Sequence, residues 1–505
     1  MWIGQLLSQF LTGDKRLPQP PGDLRYSPAE RMQLCALLVA ALALRIWAAF
    51  AFPSIYHPDE FFQYLEQSHR LAFGYGVVPW EYRLGIRSWL LPGVIAGLMR
   101  VTAWFGGGAS AYMAVVQVVL AALSLTIVAV AWLFARKISG RTAALIAAVF
   151  TAVWFELIYF SAKPLTESVA ASALFCAAYF IGCGDMRRRG IAISAGVLLG
   201  CALVLRVHLS PAVLLLGLIA LYRFPRPNVF YVVGGAAAMV IAGGLLDWAT
   251  WGTPFQSMWR NFAVNIIEDK ASEYGVAPWY YYINLYFKYW TYVAVPLGLL
   301  VLIGARRAPY LLAIGAVIVL AHSAIGLKQY RFVFPALPFF ILLMALGTAA
   351  VIDGITQRWP RLPRTALVMA AVLLWMGCSI GLGARERIRY IWVRSAPAIA
   401  AFKAISHIED MCGLGVIGRG WASLPGYTYL HRNVPLYVFA NTVEGRRATT
   451  AFNVAFARPE AKLGQAGFQR GACYKDGQFC IYRRPDGCKF YPAMEVNRML
   501  IDRDQ

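Results

Sequence analysis

The chain has 505 residues, 59% of them hydrophobic and only 14% charged, with a mean hydropathy of +0.56. Soluble domains carry roughly 25% charged residues, so this composition excludes an ordinary soluble enzyme and describes a polytopic membrane protein. Its 47 Lys and Arg against 25 Asp and Glu leave a net charge of +22. No basic run is interleaved with aromatics as single-strand binders require, so the excess belongs to membrane loops and anionic headgroups rather than to nucleic acid.

In chain order, residues 1–33 are polar, carry Lys15, Arg16, Arg25 and Arg31, and read as a cytoplasmic N-terminal segment. No cleavable signal peptide is visible, and the first apolar stretch is long enough to serve as an uncleaved anchor. A crossing needs about 20 apolar residues. Crossings are expected near 34–53, 109–135, 142–161, 166–183, 190–207, 211–222, 229–247, 289–305, 309–325, 333–352 and 365–383, about eleven by hydropathy. The segment 88–105 contains Pro92, runs into Gly-Gly-Gly-Ala-Ser, and is expected to lie in the interface rather than to cross.

Positive charge orients the chain. With a cytoplasmic N-terminus, "RKISGR" (136–141), "MRRRG" (186–190), "YRFPRPN" (222–228), "ARRAPY" (305–310) and "RWPRLPR" (358–364) all fall on the cytoplasmic side. One basic stretch, "ARERIRYIWVR" (384–394), falls outside and reads as an amphipathic interfacial helix. The outer face then collects 57–70, 160–168, 206–211, the loop 248–288, 326–332 and everything after about 395. Ionisable side chains at such positions are expensive, and function is the default explanation for them.

The segment "IYHPDEFFQYLEQSHRLAFGYG" (55–76) concentrates acids in a chain that has few. Pro58 suits a first helical turn, where Asp59 and Glu60 gain about 0.3–1 kcal/mol from the helix dipole. A well-started interfacial helix explains them equally. Asp59, Gln63 and Glu66 fall at i, i+4 and i+7, which predicts one polar face turned to a cavity. The functional reading is a general base that takes a proton from an attacking sugar hydroxyl. A phosphate leaving group needs cations, and Lys328, Arg331, Arg206 and Lys163 are candidates; snorkelling to the interface is the plain alternative. The aromatic loop 248–288 can stack on sugars or simply form an interfacial belt.

The tail 395–505 is polar and holds Cys412, Cys473, Cys480 and Cys488. An even count in an outward-facing segment favours two disulfides over a zinc site, and no Cys-x-x-Cys pair is present. Of the three possible pairings, Cys473–Cys480 looks like a hairpin staple, which leaves Cys412 with Cys488.

Several stretches together resemble the mannosyltransferases of glycosyltransferase family 22, the GPI and N-glycan α-mannosyltransferases. They are "HPDEFFQYLEQSHRLAFGYG…PWEYRLGIRSWLLPG" (57–93), "SAKPLTES" (161–168) with Glu167, Arg206 in "LRVHLSP" (205–211), and "HSAIGLKQYRFVFPALP" (322–338). Between the last two, residues 246–283 supply Asp247, Gly252, Asn261, Phe262, Asn265, Tyr274, Gly275, Pro278, Trp279 and Tyr282. The order is the family's. Two departures stand out: Leu327 and Gln329 replace the family's His and Glu, and Val207-His208 follow Arg206 where the family has Pro-Thr. The tail after about 395 shows no similarity that can be placed.

The resemblance implies an all-α polytopic membrane protein of GT-C glycosyltransferase architecture; the polar tail is expected to add a small C-terminal extracytoplasmic α/β domain. Its expected parts are the segment 1–33, a catalytic domain 34–394 with outer-face loops 54–108 and 248–288, and a soluble domain 395–505. It implies an inverting transfer of a hexose, mannose by analogy, from a polyprenyl-phosphate donor to a hydroxyl of a lipid-linked glycan or glycolipid. Asp59 is then the base, with Glu60 positioning it or acting itself. Lys328 and Arg331, with Arg206 or His57, hold the donor phosphate. Glu167, Lys163, Asn261, Asn265, Tyr274, Trp279 and Tyr282 face sugar or acceptor. No nucleotide site, cofactor or metal is expected; the partners are the two lipid substrates and membrane lipid. Short basic loops and the motif departures suggest a bacterial cytoplasmic membrane with an outward site, the alternative being a lumen-facing endoplasmic-reticulum enzyme. Competing functions are a flippase or transporter of lipid-linked glycan, against which no half-to-half repeat is visible, a structural subunit, and a GT-C transferase of another sugar such as arabinose.

Overall fold

A computed structural model describes residues 26–475 and 477–504, so most of the N-terminal segment, with Lys15, Arg16 and Arg25, lies outside the described residues. The chain forms two compact units. One joins Met1–Ala48 to Val119–Ile388; the other joins Ala49–Val118 to Arg389–Gln505.

Among the described residues, seven helices are long and apolar enough to cross a membrane: Pro28–Ala51, Ala109–Val153, Thr166–Cys183, Arg226–Trp251, Tyr281–Ala305, Tyr330–Arg358 and Arg364–Gly383. Shorter apolar helices are Leu90–Trp104, Arg189–Leu205, Val207–Arg223 and Pro309–Ser323. The 45 residues of Ala109–Val153 would measure about 68 Å as one rod, twice the ~30 Å hydrocarbon core. The rod breaks at Gly140, whose φ of 84° no ordinary helical residue adopts. That break falls inside the basic loop 136–141. Leu90–Trp104 spans about 22 Å as a straight helix, short of a crossing. The basic stretch 384–394 carries the seven-residue helix Glu386–Trp392.

In the first unit helices meet through glycine. At Gly196 and Gly235, on Arg189–Leu205 and Arg226–Trp251, an added Cβ would run into the Val232 carbonyl and the Ile193 carbonyl respectively. Gly304 and Gly347 likewise face the carbonyls of Leu343 and Leu300. Lipid tails are as apolar as side chains, so such close backbone packing supplies the attraction between membrane helices. Arg45 is buried in the same unit, yet its guanidinium donates to Ser124 Oγ (3.0 Å) and to the carbonyls of Ala41, Ala152 and Thr151 (3.2, 3.0 and 3.1 Å). Ser27 and Glu30 form a reciprocal capping box at the start of Pro28–Ala51.

The second unit contains a five-stranded sheet of order β2-β1-β3-β5-β4, with β1 Leu414–Ile417, β2 Leu436–Phe439, β3 Val454–Ala457, β4 Gln469–Tyr474 and β5 Phe479–Arg483. β1 pairs in parallel with β2 and β3; β5 runs antiparallel to β3 and β4. Every residue of β1, β2 and β3 is buried, the signature of strands covered on both faces. Cys473 pairs with Cys480 across the β4–β5 hairpin, and Cys412 with Cys488.

Candidate active site

In the second unit, Pro58 and Asp59 open a helix that at once widens into a π turn, Glu60–Leu65, before Glu66–Phe73 continues as α-helix. The π turn corrects the expected polar face. Its wider turn breaks the 3.6-residue period: Glu66 turns to Tyr427 and Thr428, whereas Gln63 and Asp59 both lie near Glu81. Gln63 and Glu66 are buried instead. Gln63 Nε2 donates to Glu81 Oε1 at 2.8 Å. Glu66 accepts from Val77 N and Tyr427 N (both 2.9 Å) on one oxygen, and from Thr428 N (3.1 Å) and Thr428 Oγ1 (2.9 Å) on the other. Gly426, at φ +49°, lies so close that a Cβ there would sit 2.7 Å from Glu66 Oε2. Glu66 is therefore a structural clamp.

The adjacent carboxylates are also distinguished. Glu60 is buried and its Oε2 accepts from Tyr56 N at 2.9 Å, closing the turn that precedes the helix. Asp59 keeps 20% of its side chain exposed, with Oδ1 3.2 Å from His57 Nδ1. Unprotonated, that nitrogen accepts from Asp59 N (3.3 Å); protonated, it donates to the Asp59 carboxylate. His57 thus stands beside Asp59. Sequence reasoning missed Glu81, although it lies in the quoted "PWEYR". Burial, and then the charge of Asp59, push the Glu81 carboxyl up to about 7, against the pull of Arg87.

The first unit assembles a different group. Pro164 and extended Leu165 lead into Thr166–Cys183, which places Glu167 in the first turn, where the helix dipole favours a carboxylate. Arg206 occupies an extended break (φ −152°, ψ 93°) between Arg189–Leu205 and the next helical turn. Arg331 lies in the 3-10 stretch Tyr330–Ala336. These three motifs, distant in sequence, meet: Arg206 Nη1 and Arg331 Nη1 lie 3.3 and 3.1 Å from Glu167 Oε1. Both guanidinium carbons lie about as close to the Phe332 ring, 4.8 and 5.0 Å from its centroid. Gln329, where the family pattern has Glu, accepts from Arg331 Nε at 2.8 Å. The trio Glu167, Arg206 and Arg331 is buried, and a buried charge has to be paired.

The remaining expected residues lie in or beside the outer-face loops. Lys328 Nζ donates to the carbonyls of Ala277 (2.7 Å) and Ile325, and Ala277 N donates back to Gly326 O, so this lysine ties its loop to the 270s. Lys163 sits over the Tyr159 ring at 5.0 Å. Asn265 Nδ2 donates to Asn261 O, and Asp247 accepts from both N and Oγ of Ser257, fixing the entry to that loop. Tyr274 and Trp279 are exposed, whereas Tyr282 is buried. Among the described residues no trio of His, Cys, Asp and Glu is arranged to hold a metal ion.

Comparison with known proteins gives a consistent answer. The sequence profile of the Alg9-like mannosyltransferase family matches residues 36–431. The match extends through β1 to His431, further into the tail than the sequence motifs reached. GPI mannosyltransferase 3 of Yarrowia lipolytica is 26% identical over 406 residues, covering 79% of this chain and 76% of the relative. The same enzyme of Drosophila melanogaster is 27% identical over 375 residues, covering 67% of this chain and 60% of the relative. Among solved structures, ArnT from Cupriavidus metallidurans bound to undecaprenyl phosphate superposes with a TM-score of 0.61 at 13% identity, covering 89% of this chain and 97% of ArnT. That likeness shows a shared GT-C fold. The chain belongs to the Alg9-like mannosyltransferase family and is a multi-pass membrane glycosyltransferase.

Proposed function

We propose that the chain transfers mannose from a β-linked polyprenyl-phosphate donor to a hydroxyl of a lipid-linked glycan or glycolipid, on the non-cytoplasmic face of its membrane, with inversion. Asp59 takes the proton from the acceptor hydroxyl as that oxygen attacks C1 of the sugar. The C1–O bond to phosphate breaks, the polyprenyl phosphate departs with its electron pair, and an α-linkage forms. Arg206 and Arg331, set by Glu167, hold the departing phosphate; planar guanidinium suits its oxygens. Lys328, Lys163, Asn261, Asn265, Tyr274, Trp279 and Tyr282 contribute through the loops that receive sugar and acceptor. No metal or cofactor takes part.

The observation that carries this reading is the division of labour among the acids of 59–66. Glu66 spends both oxygens on backbone amides and a hydroxyl, and Glu60 Oε2 holds the Tyr56 amide, while Asp59 keeps a partly solvated carboxylate beside an imidazole. Support for the donor comes from the undecaprenyl phosphate bound by the ArnT relative in fold. Support for the acceptor class comes from the GPI mannosyltransferases. Two disulfides in 412–488 fit the oxidising side of a membrane.

The test is single-turnover transfer of radiolabelled polyprenyl-phosphate mannose to a membrane-lipid extract. Wild type should move label to a new lipid. Asp59→Asn should lower the rate about 10²–10⁴-fold while retaining donor. Full activity in Asp59→Asn, with loss in Glu60→Gln, would move the base to Glu60.

A further inference from the structure

The C-terminal sheet has a topological switch point. From β1 the chain passes to β2 on one side; from β3 it passes to β4 and β5 on the other. Open sheets of this kind bind ligands in the crevice outside the carboxyl ends of the two strands where the order reverses, here β1 and β3.

Arginine occupies that crevice. Arg419 follows β1 by two residues and Arg458 follows β3 directly. Both guanidinium groups lie against the ring of Phe479, the first residue of β5, at 5.6 and 5.3 Å from its centroid. The Arg458 stem crosses Gly418, where φ is +81° and an added Cβ would meet Arg458 Cδ at 3.0 Å. Arg419 is fixed by donating from Nε to Ser423 Oγ (2.9 Å) and from Nη2 to Ser395 Oγ (3.3 Å). The neighbour of Ser395 is Arg394, whose Nη1 donates to Tyr56 O at 3.2 Å.

Among the described residues, none of these three arginines forms an ion pair with a carboxylate. Burial, and then the charges of Arg394 and Arg458, push the Arg419 guanidinium below its ordinary value, so the three cations share one field. Cations assembled without a counter-charge repel one another, and an anion relieves the repulsion. Arg394 also belongs to the one basic stretch that broke the orientation pattern, which this site explains.

The same loop reaches the segment that follows the proposed base. Trp421 packs edge-on against Phe62, in the π turn after Asp59, with ring centroids 4.9 Å apart. The geometry points to a phosphate site: Arg419 and Arg458, at the carboxyl ends of β1 and β3, together with Arg394 beside Ser395, bind a phosphate group of the lipid-linked acceptor. The acceptor's sugar hydroxyl is thereby presented to Asp59. The acceptor role rests on the transfer reading above; the phosphate site does not.

Hydrogen–deuterium exchange on the full chain in phosphatidylcholine nanodiscs tests it, with inorganic phosphate as probe. Phosphate should protect 418–423 and 458–461. Arg458→Gln and Arg419→Gln should each weaken the protection about tenfold, as loss of one charge-assisted contact predicts. Arg389→Gln, in the same basic stretch but outside the crevice, should leave it unchanged. Absent protection, or equal protection in all variants, overturns the site. Protection by phosphatidylglycerol nanodiscs but not by inorganic phosphate also overturns it, in favour of a general headgroup surface. In the transfer assay Arg458→Gln should raise the acceptor KM about tenfold and leave kcat and the donor KM unchanged; an unaltered acceptor KM overturns the acceptor role. Phosphate protection in a wild type that transfers no mannose would leave the site standing and sink the transfer reading instead.

Discussion

Glu66 and Glu167 are both fully buried, one in each unit, and they are held in opposite ways. Glu66 faces neutral donors, three backbone amides and a hydroxyl, and burial still leaves its carboxyl above the usual range. Glu167 faces two guanidinium groups. Amides of the main chain are fixed, so a carboxylate that consumes them locks a fold and has nothing to exchange. A guanidinium carries five N–H donors in a fork. Two such forks meet one carboxylate at Glu167, an arrangement of charge against charge rather than charge against fixed amides. Two buried glutamates in one chain thus do different work, and the identity of their donors tells which is which.

Substitution can break this contrast. Glu167→Gln should have the largest effect, leaving Arg206 and Arg331 buried side by side without their counter-charge. Donor kcat/KM should fall about 10²-fold, in line with the penalty for breaking a buried ion pair. Initial rates on purified, folded protein check this, and a variant with wild-type rates would remove the pair from catalysis. Glu66→Gln should instead lower stability by about 1–3 kcal/mol, because its amide group would face donors. Its thermal midpoint should drop while kcat per folded molecule holds; a kcat loss equal to that of Glu167→Gln would erase the distinction. The smallest effect concerns pH. Glu81 has its carboxyl raised from 4.5 to about 7 when folded, so the folded state keeps a proton that the unfolded state has released. Its contribution is full below pH 4.5 and is lost as pH rises through about 7. Glu81→Gln should flatten the thermal midpoint across that window, and an unchanged slope would mean that Glu81 is not what senses pH.

Much of the first unit is legible in the sequence because lipid imposes a simple rule. Long apolar runs become helices, basic loops break them, and even the interruption at Gly140 falls inside "RKISGR". The motifs holding Glu167, Arg206 and Arg331 can be picked out in the sequence, but their ion pairing cannot, since Glu167 reads there as facing sugar or acceptor. The second unit is harder to read. A π turn at Glu60–Leu65 leaves no compositional mark, yet it rotates every later residue and turned an expected polar face into buried clamps. Lys328 shows only its charge in the sequence; its carbonyl partners depend on where the 270s loop folds back. Glu81 drew no attention because its importance comes from Asp59, twenty-two positions earlier in the chain. The arginines of the sheet crevice are unremarkable in sequence, since strand order alone brings Arg419 and Arg458 to one ring.

The second unit is assembled from residues 49–118 and 389–505, with the helices of the first unit encoded between them. During synthesis the early piece is therefore made long before its partner. Until Tyr427 and Thr428 emerge, Glu66 has only the Val77 amide to satisfy it. A chain truncated anywhere before the tail would expose a charged carboxylate and the apolar surface around it. Completion of this unit thus has to wait until every intervening helix has been synthesised.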